Sequence, residues 1–287
     1  MLEDQEQPVQ SIYSGGKRMS NNPVYFEGYL VCTHDEVVIA KSRFKANHTH
    51  VFGPDSDYTT LAISAINFMR KTLDVTNFIV DDNIQIEVLQ ACGYLHDENS
   101  IWAILCSPNS AELCITKKDK LNSEIEGEET NLTFVKEIEN AWIKEGNSIS
   151  QGAYISDQSY NLSISGRMNL QGQKVDDNYV WPAREYPNYG PDIVDSNLSK
   201  SGTILSWTSL APGGAPSEFS IRAPILGGIS TVFVKLKDGP NGVFLMADDD
   251  SSSIEIGLTV DLVVRKIYAQ EGSVRYGLKA IISKLQA

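Results

Sequence analysis

The sequence predicts an α+β fold, and three observations carry the prediction. Leu61, Ala65, Phe68 and Met69 stand at i, i+4, i+7 and i+8, one apolar face of a helix at about 58–73. From residue 202 onward the chain reads as five short strands separated by turns that carry Gly and Pro. Between the halves, residues 116–131 are charged, contain Gly127 and have no apolar period, the composition of a linker. A length of 287 residues accommodates two domains, or one large one, at roughly 150 residues each.

Taken in order, residues 1–22 mix Gln, Ser, Asn and Gly without periodicity and are expected to form a flexible leader. Val24–Cys32 reads as a strand and Glu36–Ala40 as a second, shorter one. Gly53-Pro54-Asp55-Ser56-Asp57 is a turn, and Asp57 can cap the free amides of the helix that follows. Asn83–Val88 alternates, and Ile101–Cys106 and Ala111–Ile115 also read as strands, so residues 23–115 are expected to be a small α/β region. After the linker, Phe134, Ile138 and Trp142 share one face of a short amphipathic helix that ends at Gly146. The C-terminal strands are Thr203–Ser209, Thr231–Leu236, Val243–Ala247, Leu258–Ile267 and Val274–Ile282. Five short strands within residues 201–287 fit a small β-barrel of the oligonucleotide/oligosaccharide (OB) type, and a sandwich fragment satisfies the same pattern.

Composition narrows the function classes. A hydrophobic content of 41% excludes wholesale disorder. No apolar run approaches the ~20 residues of a membrane span, and the acidic stretch Met1–Gln10 is unlike a signal peptide. Cys32, Cys92, Cys106 and Cys114 show no close paired spacing, so a disulfide scaffold or Cys-x-x-Cys metal site is not expected, and the default is a reduced, cytoplasmic protein. The formal net charge of −13 is unevenly divided: residues 161–287 hold 12 Lys plus Arg against 13 Asp plus Glu, and residues 1–160 hold 12 against 24. An acidic chain repels a phosphate backbone, whereas the near-neutral half can bind a small polyanion through a local cluster of cations.

Ahead of the C-terminal strands stand Arg167-Met168-Asn169-Leu170-Gln171-Gly172 and Trp181-Pro182-Ala183-Arg184-Glu185-Tyr186-Pro187-Asn188-Tyr189-Gly190. These segments resemble the family in which a rubredoxin-like zinc ribbon leads into an OB barrel, known as domain of unknown function 35 and described as acyl-CoA-associated. Its ribbon places Cys pairs where this chain has Met168, Gln171, Tyr186 and Tyr189, while Arg167, Gly172, Pro182, Arg184, Pro187 and Gly190 keep the framing positions. Thioether, amide and phenol are poor zinc ligands, so no zinc is expected and residues 132–200 are read as a helix plus a degenerate ribbon. Gly202–Thr208, Asp238-Gly239 and Ile256–Val260 are similar to the family's barrel strands, which extends the resemblance over about 132–287.

The stretch Val51–Ala65 has a second resemblance, to the opening of 3-hydroxy-3-methylglutaryl-CoA (HMG-CoA) synthases of the thiolase superfamily, where a similar turn leads into the first long helix. The match covers about 50 residues, and some relatives fuse or pair such a synthase with a ribbon–OB domain. Cys92-Gly93, with His96 four residues on, is the most suggestive nucleophile, but about 110 residues are too few for a thiolase subunit. Cys92 and Cys106 lie in apolar strings and read as buried structural thiols, and His48 and His50 read as a solvated pair. This half is therefore read as a reduced, thiolase-like relic with no catalytic residues.

The resemblances imply a non-catalytic accessory or scaffold subunit that docks on a thiolase-like or HMG-CoA-synthase-like condensing enzyme and helps bind or pass acyl-CoA. Coenzyme A is a polyphosphate, so an anion site is required; the candidates are Arg184, Arg222, Lys235 and Lys237, with Trp207 or Phe219 to stack on adenine. A single-stranded nucleic-acid-binding OB protein is an alternative that the acidity disfavours. A stand-alone condensing enzyme built on Cys92 and a purely structural subunit without ligand are the others.

Overall fold

The segment expected to run as one strand from Val24 to Cys32 folds instead as a hairpin. The computed structural model describes residues 22–34, 36–117, 125–148, 156–184 and 193–284. In it, β1 (Val24–Phe26) and β2 (Tyr29–His34) pair antiparallel across Glu27 and Gly28, whose φ angles of 50° and 90° turn the chain. Only glycine serves at position 28, because a Cβ there would collide with the Arg265 guanidinium. Next come β3 (Val37–Ser42), the short pair β4 (Phe44–Ala46) and β5 (Thr49–Val51), and helix α1 (Tyr58–Met69). Asp57 caps α1 as expected: its carboxylate accepts from the Thr60 N–H at 3.0 Å, and the Thr60 hydroxyl accepts from the Asp57 N–H at 2.9 Å.

Asn83–Val88 is not a strand. It enters helix α2 (Ile86–Ala91), which buries Val88, Leu89 and Ala91, with Ile84 buried just ahead of it. Apolar residues at 84, 86 and 88 satisfy period 2, but Ile84, Val88 and Ala91 satisfy the helical period, and the longer run prevails. Around α2 lie β6 (Asn77–Val80), β7 (Leu95–His96), β8 (Ala103–Cys106) and β9 (Glu112–Thr116). Seven strands form one mixed sheet in the order β1-β2-β3-β9-β8-β6-β7, parallel only where β6 meets β8 and β7. The expected linker is partly structured as well. Ile125 is buried, and β10 (Glu128–Glu129) pairs parallel with β4, while residues 118–124 lie outside the described residues.

Helix α3 (Leu132–Gly146) matches its expected span and is capped by Asn131. Helix α4 (Asp157–Met168) was not legible as a helix: only Tyr160, Ile164 and Met168 are buried, in a sequence otherwise mostly polar, with Leu162 exposed. It places Met168, the first of the four ribbon positions, with no exposed surface, whereas Gln171 is exposed at the start of β11 (Gln171–Val175). β11, β12 (Asn178–Val180) and β13 (Ile193–Asn197) form a three-stranded antiparallel sheet. Tyr186 and Tyr189 lie outside the described residues.

All five C-terminal strands are present: β14 (Ser201–Leu210), β15 (Ile229–Leu236), β16 (Asn241–Leu245), β17 (Thr259–Gln270) and β18 (Ser273–Ile282), with the one-turn helix α5 (Ala223–Leu226) in the β14–β15 connection. They pair antiparallel in the order β16-β15-β14-β17-β18. The edges touch at one isolated parallel bridge, Met246 to Ala280, and do not form a closed hydrogen-bonded barrel. The largest core joins both halves of the chain: Leu61, Ile63 and Phe78 share it with Met168 of α4, Val264 of β17 and Tyr276 of β18. Between sheet and strands, α1 is buried nearly all round, with Thr59, Thr60 and Ser64 buried beside its apolar residues. Met168→Ala is expected to cost about 2–5 kcal/mol in urea unfolding, as for a large-to-small change in a packed core.

Candidate functional site

The turn Gly53–Asp57 is joined to the C-terminal sheet by ion pairs that are almost wholly buried. Lys279 on β18 donates from Nζ to Asp55 Oδ2 at 2.9 Å and to Asp248 Oδ1 at 2.8 Å. The other Asp248 oxygen accepts from Arg222 Nη1 at 2.9 Å, and Arg222 Nε lies 2.9 Å from both Glu145 oxygens at the end of α3. Arg265 on β17 sits 3.6 Å from Asp55 Oδ1 and 3.9 Å from Asp249 Oδ2, and it donates to the Glu27 carbonyl at 2.6 Å. Backbone bonds reinforce the frame: Asp248 N–H donates to Asp55 Oδ2, and Lys266 N–H to the Asp55 carbonyl.

In this cluster three cations, Arg222, Arg265 and Lys279, face four carboxylates, Asp55, Asp248, Asp249 and Glu145. Burial alone would raise the Asp55 carboxyl, but Lys279 and Arg265 outweigh it and hold Asp55 below the usual carboxylate range. Asp248 and Glu145 are pushed up by burial in spite of their partners. Burial also pushes Asp249 up to about 6, outweighing the pull of Arg265 and Arg43. Apolar strands conceal these ions in the sequence. Arg265 follows Leu262-Val263-Val264, and Lys279 precedes Ala280-Ile281-Ile282, so a charge inside an apolar run was the available signal.

Against this frame lies a cavity of about 580 Å³. Phe134, Ile138, Trp142 and Ile143 of α3 wall one side, with Phe44 and Phe52 from β4 and the segment after β5. Trp142 Nε1 donates to the Pro54 carbonyl at 2.6 Å, which fixes α3 to the turn. The Arg222 guanidinium lies 3.8 Å from the Trp142 ring centroid and the Lys266 ammonium 4.4 Å from it. Lys266 faces the cavity together with Asp57, and burial lowers its ammonium below the usual lysine range. The lining is an apolar sleeve with charged groups at the frame side, a shape that accommodates a chain-like apolar ligand.

The sequence-nominated anion residues do not converge. Arg184 is exposed beyond β12, Lys235 and Lys237 are exposed on and just after β15, and Trp207 is exposed on β14. Phe219 is half-buried, 5.7 Å from Arg222. Arg222 is a correction: it is fully buried, and its Nε, Nη1 and Nη2 are already bonded to Glu145, Asp248 and the Ile267 carbonyl, so it serves the frame. His50 is a second correction. It is buried rather than solvated, with Nδ1 2.6 Å from the Ser42 carbonyl and Nε2 3.0 Å from that of Ile125. Burial raises the Cys92 thiol to about 11, and His96 Nδ1 accepts from the Val80 N–H, so neither is poised as nucleophile or base. Among the described residues, no group of three or more His, Cys, Asp or Glu is arranged to hold a metal ion, and no helix is long and apolar enough to cross a membrane.

Two outcomes follow from the frame. Lys279→Met, which removes the cation shared by Asp55 and Asp248, is expected to lose about 3–5 kcal/mol in urea unfolding. Neutral Asp249 adds stability fully below its ordinary value of 3.8, and that contribution is lost as pH rises through about 6. Asp249→Asn stays neutral, so its stability relative to the parent should improve as pH rises from about 4 to about 6 and level off above that; a difference independent of pH would contradict the assignment.

A scan against protein-family models finds no match, and no curated protein matches the chain. Among solved structures, one similar chain is described as "Ltp2-ChsH2(DUF35) aldolase"; it is 15% identical, the match covers 46% of this chain and 96% of that one, and the TM-score is 0.30. At that score the likeness carries neither fold nor activity over to this chain.

Proposed function

We propose that this chain is a non-catalytic accessory subunit that binds acyl-CoA and docks on a thiolase-like or HMG-CoA-synthase-like condensing enzyme. The observation that carries the reading is the 580 Å³ cavity, an aromatic and aliphatic sleeve on a frame held by buried ions. Its volume lies within the ~300–1,000 Å³ of small-molecule sites, and its apolar walls suit an acyl chain. The turn that resembles the synthase opening forms one wall, with Gly53, Pro54, Ser56 and Asp57 lining the cavity. The neutral Cys92 thiol supports binding without acyl transfer. The strand order β16-β15-β14-β17-β18, with the edges meeting at Met246 and Ala280, supports reading the C-terminal half as an OB-type barrel on the pattern of the ribbon–OB family.

Affinity purification of the full chain from its native organism should bring down a condensing enzyme; recovery of nucleic acid instead would overturn the reading. Acyl-CoA of increasing chain length should raise the thermal midpoint of the purified protein progressively. Ile143, 63% exposed at the cavity, tolerates substitution, and Ile143→Glu should weaken acyl-CoA binding about tenfold with the fold intact. Thiolysis of acetoacetyl-CoA by the chain alone, abolished by Cys92→Ala, would establish an enzyme in place of a binding subunit.

A further inference from the structure

On another part of the surface, three lysines far apart in sequence converge on a pocket of about 350 Å³ lined by Tyr25, Phe26, Lys71, Lys200 and Lys284. Lys71 follows α1, Lys200 precedes β14 and Lys284 follows β18, so the tertiary fold alone brings them together. We propose that this pocket binds the phosphate groups of a soluble di- or polyphosphorylated small molecule, with Lys71, Lys200 and Lys284 as its cationic clamp.

Three features carry the assignment. First, among the described residues none of the three ammonium groups has a carboxylate within ion-pair distance, unlike Lys41, Lys45, Lys117 and Lys279. Second, two of them are positioned without being neutralised: Lys71 Nζ lies 3.9 Å from the Phe26 ring centroid, and Lys284 Nζ lies 3.9 Å from that of Tyr25. An aromatic face holds a cation in place and leaves its charge available to an anion. Third, the two carboxylates in the pocket act on Lys71 from beyond ion-pair distance and have neutral hydrogen-bond donors of their own. Both Glu27 oxygens accept from Asn67 Nδ2 at 3.1 Å, and Asp261 Oδ2 accepts from the Ser283 hydroxyl at 2.7 Å. Burial raises the Glu27 carboxyl, which lessens its opposition to an incoming anion.

The volume exceeds what one phosphate needs and lies at the lower end of small-molecule sites, which points to a phosphorylated organic group. Tyr25 connects this pocket to the apolar cavity: its hydroxyl accepts from Arg43 Nη1 at 3.4 Å, and Arg43 lines that cavity. The phosphate assignment stands whether or not an acyl chain fills the cavity, so the two readings can fail separately.

Calorimetric titration of the full chain with sodium pyrophosphate tests it. Saturable binding is expected, weakened about tenfold by Lys200→Gln and at least as much by the Lys71→Gln/Lys284→Gln double variant, with thermal midpoints unchanged. Sodium sulfate at matched ionic strength should compete weakly. Absence of saturable binding, or equal affinity in parent and variants, would overturn the proposal. Binding to phosphatidylglycerol vesicles without binding to pyrophosphate would overturn it too, by assigning the lysines to a lipid surface.

Discussion

The buried carboxylate of Asp55 is the constraint on which the rest of the structure depends. It lies in the turn that starts α1, yet both of its cationic partners, Arg265 and Lys279, come from the last two strands. An ionised carboxylate without exposed surface is costly unless such partners are held in place, so the turn can be native only when the C-terminal sheet is native too. The same lysine holds Asp248, whose second oxygen holds Arg222, whose Nε holds Glu145 at the end of α3. A linked run of charges thus ties the first helix, the third helix and the strand ends into one frame.

That frame accounts for the cavity. Apolar walls by themselves would collapse on one another, since burial of apolar surface has no preferred direction. Here the walls are held apart by directional contacts: Trp142 Nε1 on the Pro54 carbonyl, and Arg222 and Lys266 over the indole ring. Burial is felt at Asp249, whose raised value makes the frame responsive to pH up to about 6. The lysine pocket is the electrostatic counterpart, three lysines without a carboxylate at ion-pair distance among the described residues, in a chain of net charge −13. Cation–π contacts hold two of its lysines without supplying a counter-charge.

Legibility followed the range of the interactions. Asp57 as the cap of α1, the apolar face of α3 and the five C-terminal strands rest on spacing within about ten residues, and all were readable. Asn83–Val88 misled because six residues admit both periods, and α2 was decided by Ala91 and by packing against α4. The hairpin at Glu27-Gly28 was hidden because both arms are strands, and what forbids a side chain at Gly28 is Arg265, more than two hundred residues away. Arg222 read as a surface anion site because its partners Glu145 and Asp248 are remote in sequence.

By itself, then, the sequence determined the cap and face of α1, the face of α3, the crowding of strands at the C-terminus and the excess acidity of the first half, because propensity, periodicity and composition are local properties of a chain. Only the tertiary structure decided which charges are neutralised and which remain available. Asp55, Asp248 and Arg222 are consumed in the buried frame, while Lys71, Lys200 and Lys284 meet with no carboxylate at ion-pair distance among the described residues. Ion pairing depends on distance and burial in space, and neither can be read from separation along the chain.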